Sequence, residues 1–310
     1  MLIKKSNNYK LVFIGDTNSI NLEIIEKAHD ELYFKNIKYI LIGSLDETKK
    51  YFKRLKTNKK INEVFDLSRN NYKDKNLINL FDIGNKRFEK HLNIINQINI
   101  SNNLAKLNNT DLVTMPINKS IIKKKYLFNG MTEYLGMINK YKTYMLMKGE
   151  KFSIIPLTTH VKFKDILANI EIDKTYIFLR EIIKIIKNKK LKFNRIIILG
   201  INPHAGENGT LGDEELIVNK SINKIIKSTK IRIVGPIAAD SAFKNTNIND
   251  LYISFYHDQA LIPFKIMNKQ AINYTIGLTY NRYSPSHGTA ENIIYKNIAD
   301  INSYKKCMLS

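Results

Sequence analysis

Eight short apolar runs punctuate the chain: LVFI (11–14), YILIG (39–43), DLVTMP (111–116), FSIIPLT (152–158), RIIILGI (195–201), IRIVG (231–235), LYISFY (251–256) and YTIGL (274–278). Most are too continuously hydrophobic to keep one face in water, so they predict strands covered on both sides, as in a parallel sheet. Between them the spacing turns helical. In NLEIIEKAHDELYF, Ile24, Ile25, Ala28 and Leu32 fall on one face. TYIFLREIIKIIKNKK and EELIVNKSINKIIKSTK repeat the pattern and end in lysines, which suit the negative end of a helix. Strand–helix alternation predicts an α/β protein with a mostly parallel sheet. The Asn- and Lys-rich stretch over 48–110 is the hardest to read. No tandem repeat and no Pro/Gly/Ser linker occurs, so any domain boundary has to be a hinge within structured chain.

Length and composition narrow this further. At 310 residues the chain holds about two domains or one large one, and it can bury a core without disulfide or metal staples. The single cysteine, Cys307, excludes an intramolecular disulfide framework and any cysteine-based zinc or iron–sulfur site. No apolar run approaches the ~20 residues that span a bilayer, and MLIKKSNNYKLVFIG lacks the features of a secretory signal. The reading is a cytoplasmic protein with no membrane partner. A formal charge of +22 raises nucleic-acid binding. Only seven of the 50 basic residues are arginine, at Arg54, Arg69, Arg87, Arg180, Arg195, Arg232 and Arg282. Arginine supplies the planar fork that nucleic-acid readers favour, whereas these lysines are dispersed among Asn and Ile. A solvated lysine-rich surface, with no nucleic-acid partner, explains the charge better.

Six histidines carry most of the candidate chemistry. His29, beside Asp30 in an amphipathic stretch, and His91, in a polar one, read as structural or solvated. His160, His204 and His257 differ, because each emerges at the carboxyl end of an apolar run, where open α/β sheets gather their ligands. Three imidazoles meeting there would suit a divalent metal of the Zn, Co or Ni type. Their spacing carries no local metal signature, so unrelated loop histidines are the competing reading. Around His204, INPHAGENGTLGDEE places glycines at 206, 209 and 212 and acids at a helix start. Neither GxGxxG nor GxxxxGK[ST] occurs.

These blocks nevertheless carry a resemblance. INPHAGENGTLGDEE, GPIAADSAF (235–243), YHDQALIPFK (256–265) and the INYTIGL to HGTA stretch (272–290) resemble, in order, the signature blocks of the 4-hydroxythreonine-4-phosphate dehydrogenase family of vitamin B6 biosynthesis. DLVTMPINKSII, GMTEYL and LTTHVKFKDI match further family blocks upstream. The resemblance implies two α/β/α domains of the isocitrate/isopropylmalate dehydrogenase type, divided as 1–120 with 290–310 and 121–289, with an active site in the interdomain cleft. It also implies oxidation of 4-phosphooxy-L-threonine by NAD or NADP, followed by decarboxylation to 3-amino-2-oxopropyl phosphate. His160, His204 and His257 would hold one divalent metal (Zn, Mg or Co), with His257 coming from the partner of a homodimer that shares its active site. Met131, Thr132, Lys265, Asn273 and Arg282 fall on substrate positions. His287, Gly288, Thr289 and Asp240 would line the cofactor pocket, and Asp258 and Gln259 would support the metal ligands.

Two departures qualify it. The family has histidine where this chain has Met131, and a thioether neither shuttles protons nor donates hydrogen bonds. The family's GDPAGIGPE-like turn reads here as Gly15-Asp16-Thr17-Asn18-Ser19-Ile20-Asn21-Leu22-Glu23. A relative oxidising threonate or erythronate phosphate, and a degraded non-catalytic paralogue, therefore stay open as alternatives.

Overall fold

The computed structural model describes residues 9–67, 73–84, 90–123 and 128–310. Arg69 and Arg87, and the side chain of His91, lie outside the described set. In chain order the elements are β1 (Lys10–Phe13), α1 (Asn21–Phe34), β2 (Tyr39–Gly43), α2 (Leu45–Leu55), β3 (Lys60–Glu63), β4 (Leu77–Asp82), α3 (Lys90–Asn108), β5 (Leu112–Thr114), α4 (Lys119–Lys123) and α5 (Met131–Asn139). Next come β6 (Tyr144–Lys148), β7 (Ser153–Pro156), α6 (Ile172–Asn188), β8 (Arg195–Leu199), α7 (Glu214–Ile226), β9 (Arg232–Ile237), β10 (Asp250–Ser254) and α8 (His257–Met267). The described chain closes with β11 (Ile272–Ile276), β12 (Arg282–Pro285) and α9 (Asn302–Leu309).

Two compact units form: 1–143 with 272–310, and 144–271. The expected boundaries after 120 and 289 both move, because α5, β11 and β12 belong with the first unit. In that unit the strands run β3-β4-β2-β1-β5-β12-β11, every neighbouring pair parallel except β11 with β12. The second unit runs β6-β7-β10-β8-β9, parallel except for β6 against β7.

All eight apolar runs become strands. The central ones are sealed on both faces: β2 and β10 are buried at every residue. Four further strands escaped the pattern. β3 (KINE) and β12 (RYSP) are polar in sequence, while β4 (LINLFD) and β6 (YMLMK) give only short mixed signals. Polar strands of this kind are set by their neighbours rather than by their own apolar content.

Local chemistry sets the helix ends. Ser44 accepts from the Glu47 N–H at the start of α2, acids fill the first turn and Lys53 and Arg54 the last. Lys56 then ends the helix in the left-handed region at φ 56°. Each unit has its own core. Leu11, Phe13, Ile40 and Ile42 meet Ile94, Ile98 and Leu135 in the first, and Phe152, Ile154, Ile197 and Tyr252 meet Leu261 and Phe264 in the second. His29 is a core histidine, its Nδ1 2.7 Å from the Tyr39 hydroxyl and its Nε2 3.0 Å from the Lys75 carbonyl. Among the described residues no helix is long and apolar enough to cross a membrane.

Candidate functional site

In the second unit, β7, β10, β8 and β9 are successive parallel neighbours, so their carboxyl ends face one way. His160 follows β7, His257 follows β10, His204 follows β8 and Asp240 follows β9. Backbone and side-chain ties hold these tips in register. The Leu157 N–H donates to the Ser254 carbonyl (2.8 Å), and the Thr158 hydroxyl to the Phe255 carbonyl (2.7 Å). The Gln259 amide spans two tips at once: its Nε2 donates to the Gly200 carbonyl (2.7 Å) and its Oε1 accepts from the Phe255 N–H (2.9 Å).

The result brings two of the three candidate ligands together. The His160 and His257 rings lie 5.8 Å apart between centroids, His160 exposed and His257 half-buried. His257 Nδ1 is 2.8 Å from Asp258 Oδ1. His204 does not join them: among the described residues no group of three His, Cys, Asp or Glu side chains forms a ready metal cage. His204 is exposed on the loop between β8 and α7.

That loop is unusual. His204, Ala205, Gly206, Glu207 and Asn208 all adopt left-handed backbone angles, with φ of 53°, 55°, 77°, 42° and 57°. Outside glycine this conformation costs roughly 1–2 kcal/mol per residue. Glu215, on the first turn of α7 and 4% exposed, opposes that cost. Its Oε1 accepts from the Ile201 and Asn202 N–H groups, each at 2.7 Å, and its Oε2 from Asn202 Nδ2 at 2.9 Å. Burial alone would push this carboxyl up, but the hydrogen bonds from Asn202 and Ile201 outweigh it and hold the pKa below the usual range. Bonds to a charged acceptor contribute roughly 1.5–3 kcal/mol each. Sequence reasoning noted an acidic helix start and missed this role. The available signal was an Asn-Pro strand end, a glycine-rich loop and then a glutamate.

The first unit presents a second set of loops. The Gly15–Ser19 turn follows β1, Pro116 follows β5, and His287, Gly288 and Thr289 follow β12, all at carboxyl ends of parallel neighbours. Gly15, at φ 73°, packs so closely that a Cβ there would meet the Pro116 carbonyl at 2.4 Å. Asn21 ties the turn down, its Nδ2 donating to the carbonyls of Ile14 (3.0 Å) and Pro116 (2.8 Å). The Ile20 N–H reaches the Thr289 carbonyl at 3.1 Å. His287 Nδ1 is 2.9 Å from the Gly288 carbonyl, while its Nε2 is buried with no partner. Burial lowers the His287 pKa, so the ring is neutral. A Cβ on Gly288 would meet open space. A cavity of about 220 Å³ opens nearby in sequence, lined by Thr17, Asn18, Lys50, Tyr51, Arg54 and Tyr295.

The expected substrate residues divide. Lys265 is exposed on α8. Met131 packs against the first core. Arg282 is 3% exposed, and its guanidinium is met by hydroxyls alone: Nε donates to Thr114 Oγ1 (2.8 Å), Nη2 to the same atom, and Nη1 to Thr275 Oγ1 (2.9 Å). Thr275 is in turn 2.9 Å from the Thr132 hydroxyl. Burial presses the Arg282 pKa down to about 10, against the opposing pull of the Tyr280, Cys307 and Glu133 charges, so it stays charged at neutral pH. Asn273, on β11, has a buried Oδ1 without a partner.

Comparison with known proteins adds to this picture. The sequence pattern of the family described as pyridoxal phosphate biosynthetic protein PdxA matches residues 23–309. A 4-hydroxythreonine-4-phosphate dehydrogenase of Sulfurihydrogenibium sp. is 32% identical over 301 residues, 94% of this chain and 94% of that protein. The enzyme of the same name from Aquifex aeolicus is 40% identical over 198 residues, 61% of this chain and 60% of that protein. The crystal structure of 4-hydroxythreonine-4-phosphate dehydrogenase from Klebsiella pneumoniae superposes with a TM-score of 0.81 at 24% identity, covering 98% of this chain and 96% of that one. That last likeness concerns the fold.

Proposed function

We infer the reaction from one premise: the chain belongs to the pyridoxal phosphate biosynthetic protein PdxA family. The activity we propose is that of the relatives' name, oxidation of 4-phosphooxy-L-threonine at its C3 alcohol with loss of carbon dioxide, giving 3-amino-2-oxopropyl phosphate. The observation that carries it is the pair of imidazoles, His160 and His257, 5.8 Å apart at neighbouring strand tips and backed by Asp258. The paired imidazoles of His160 and His257 fit two donors to a divalent ion, with His204 to complete the set across the homodimer we propose, and the orphaned Nε2 of His287 with the open space at Gly288 fits a nicotinamide dinucleotide. Such an ion would act as a Lewis acid, and the dinucleotide, NAD or NADP, would accept the hydride.

The chain's own residues do the rest. Asp258 holds His257 in one tautomer, and Gln259 and Thr158 keep the strand tips in register. Arg282 presents a buried positive charge hydrogen-bonded to the Thr114 and Thr275 hydroxyls, which favours an anionic group such as a phosphate. The orphaned Oδ1 of Asn273 can accept from a substrate donor, and Lys265 offers a mobile point charge. Met131 leaves this site without the family's proton-carrying ring, so proton transfer falls to other groups. We propose a homodimer as the working state.

The test is an assay of NADH or NADPH formation with 4-phosphooxy-L-threonine, run beside threonate and erythronate phosphates. Elemental analysis of wild type and of His204→Ala accompanies it, and light scattering reads the assembly. Turnover of 4-phosphooxy-L-threonine with one divalent ion per chain, lost in His204→Ala, is the expected result. Turnover of only the other acids, or of none, would remove this reading.

A further inference from the structure

We propose that Glu215 is a positioning residue whose carboxylate clasps the left-handed loop 204–208 and thereby sets where His204 points. Three observations meet on it. The carboxylate is buried and receives the N–H groups of Ile201 and Asn202 and the Asn202 side chain, locking the chain immediately before Pro203 and His204. Four of the five left-handed residues that follow are not glycine, so the conformation has to be imposed from outside the loop. The one glycine sits against the clasp itself: a Cβ on Gly206 would lie 2.6 Å from Glu215 Oε2 and 2.9 Å from the Gly212 carbonyl. Glu214 reinforces the hold, its Oε2 accepting from Asn202 Nδ2 at 2.6 Å. The carboxylate's bonds go to the Ile201 and Asn202 N–H groups and to the Asn202 side chain, so it acts on His204 through the chain and not as a ligand.

The consequence for metal binding rests on the histidine reading given above, and two measurements on the purified full-length chain keep the two ideas apart. Amide hydrogen exchange over 201–212 reads the clasp directly. Cobalt(II) titration, followed by its visible absorption, reads the metal site. Glu215→Ala is expected to speed exchange in 201–212 while leaving the rest of the sheet unchanged, and to weaken cobalt binding by about 10–100-fold. Glu215→Gln keeps an oxygen for the Ile201 and Asn202 N–H groups but turns a donor toward Asn202, so it should recover part of both effects. Gly206→Ala drives a methyl onto the intact carboxylate and should loosen the same segment. It carries the comparison if Glu215→Ala does not fold. Wild-type exchange in 201–212 for these variants overturns the proposal, whatever the metal data show. If His204→Ala binds cobalt as tightly as wild type, the histidine reading falls, and exchange alone still decides the clasp.

Discussion

His29 shows how a residue that looks available can be spent on the fold. It sits in a helix beside an acid, yet burial, and then the neighbouring Lys59 charge, lower its pKa, and both ring nitrogens are engaged. The native state therefore holds it neutral. An unfolded chain binds that proton at about pH 6.5, so between this value and the lower folded pKa the unfolded state carries more protons, and stability falls as pH falls. His287, also lowered by burial, adds the same sign. Urea unfolding at pH 7.5 and 5.5 is expected to show wild type losing stability at the lower pH, with the loss reduced in His29→Gln. Equal losses in both proteins would show that His29 does not contribute. Arg282 inverts the lesson. The family resemblance marks it as a substrate position, and the structure buries it on threonine hydroxyls from β5 and β11. Nothing in the local sequence marks Thr114 or Thr275 as its partners, since they are 168 and 7 residues away and the strand pairing brings them in.

At the scale of elements, strand tips do the positioning. Gln259 belongs to α8 but bonds to the ends of both β8 and β10, so it joins the segment before His204 to the segment before His257. Removing its amide leaves a buried carbonyl and N–H without partners, at about 1–3 kcal/mol for such a loss. Gln259→Leu, near in size, is expected to lower unfolding free energy by an amount in that range, measured by urea denaturation with an unchanged m-value. A loss below ~0.5 kcal/mol would mean that the tie adds little to the sheet. The apolar runs made β2, β8 and β10 legible because burial on both faces leaves a mark in every residue. β3 and β12 leave no such mark, and only their pairing with β4 and with β5 and β11 makes them strands.

For the whole molecule, the surplus of lysine is a surface property. A charge of +22 repels itself in the compact state, and that repulsion is screened once the Debye length shrinks to about 8 Å near 0.15 M salt. The melting temperature is thus expected to rise between low-salt buffer and about 0.15 M sodium chloride. A flat or falling response would show that the charges are already compensated by their neighbours. Strand–helix alternation, the placement of His160, His204 and His257 after apolar runs, and the ordered blocks of a family are all written in short stretches of sequence. Each depends on residues close together in the chain, where burial and turn chemistry act directly on the local pattern. The sequence of strands across each unit, the reversed directions of β6 and β11 beside their neighbours, the meeting of His160 with His257, and the grip of Glu215 on the His204 loop were decided by tertiary structure alone. They join residues far apart in the chain, and the free energy that selects them comes from packing and hydrogen bonds that exist only once both partners are in place.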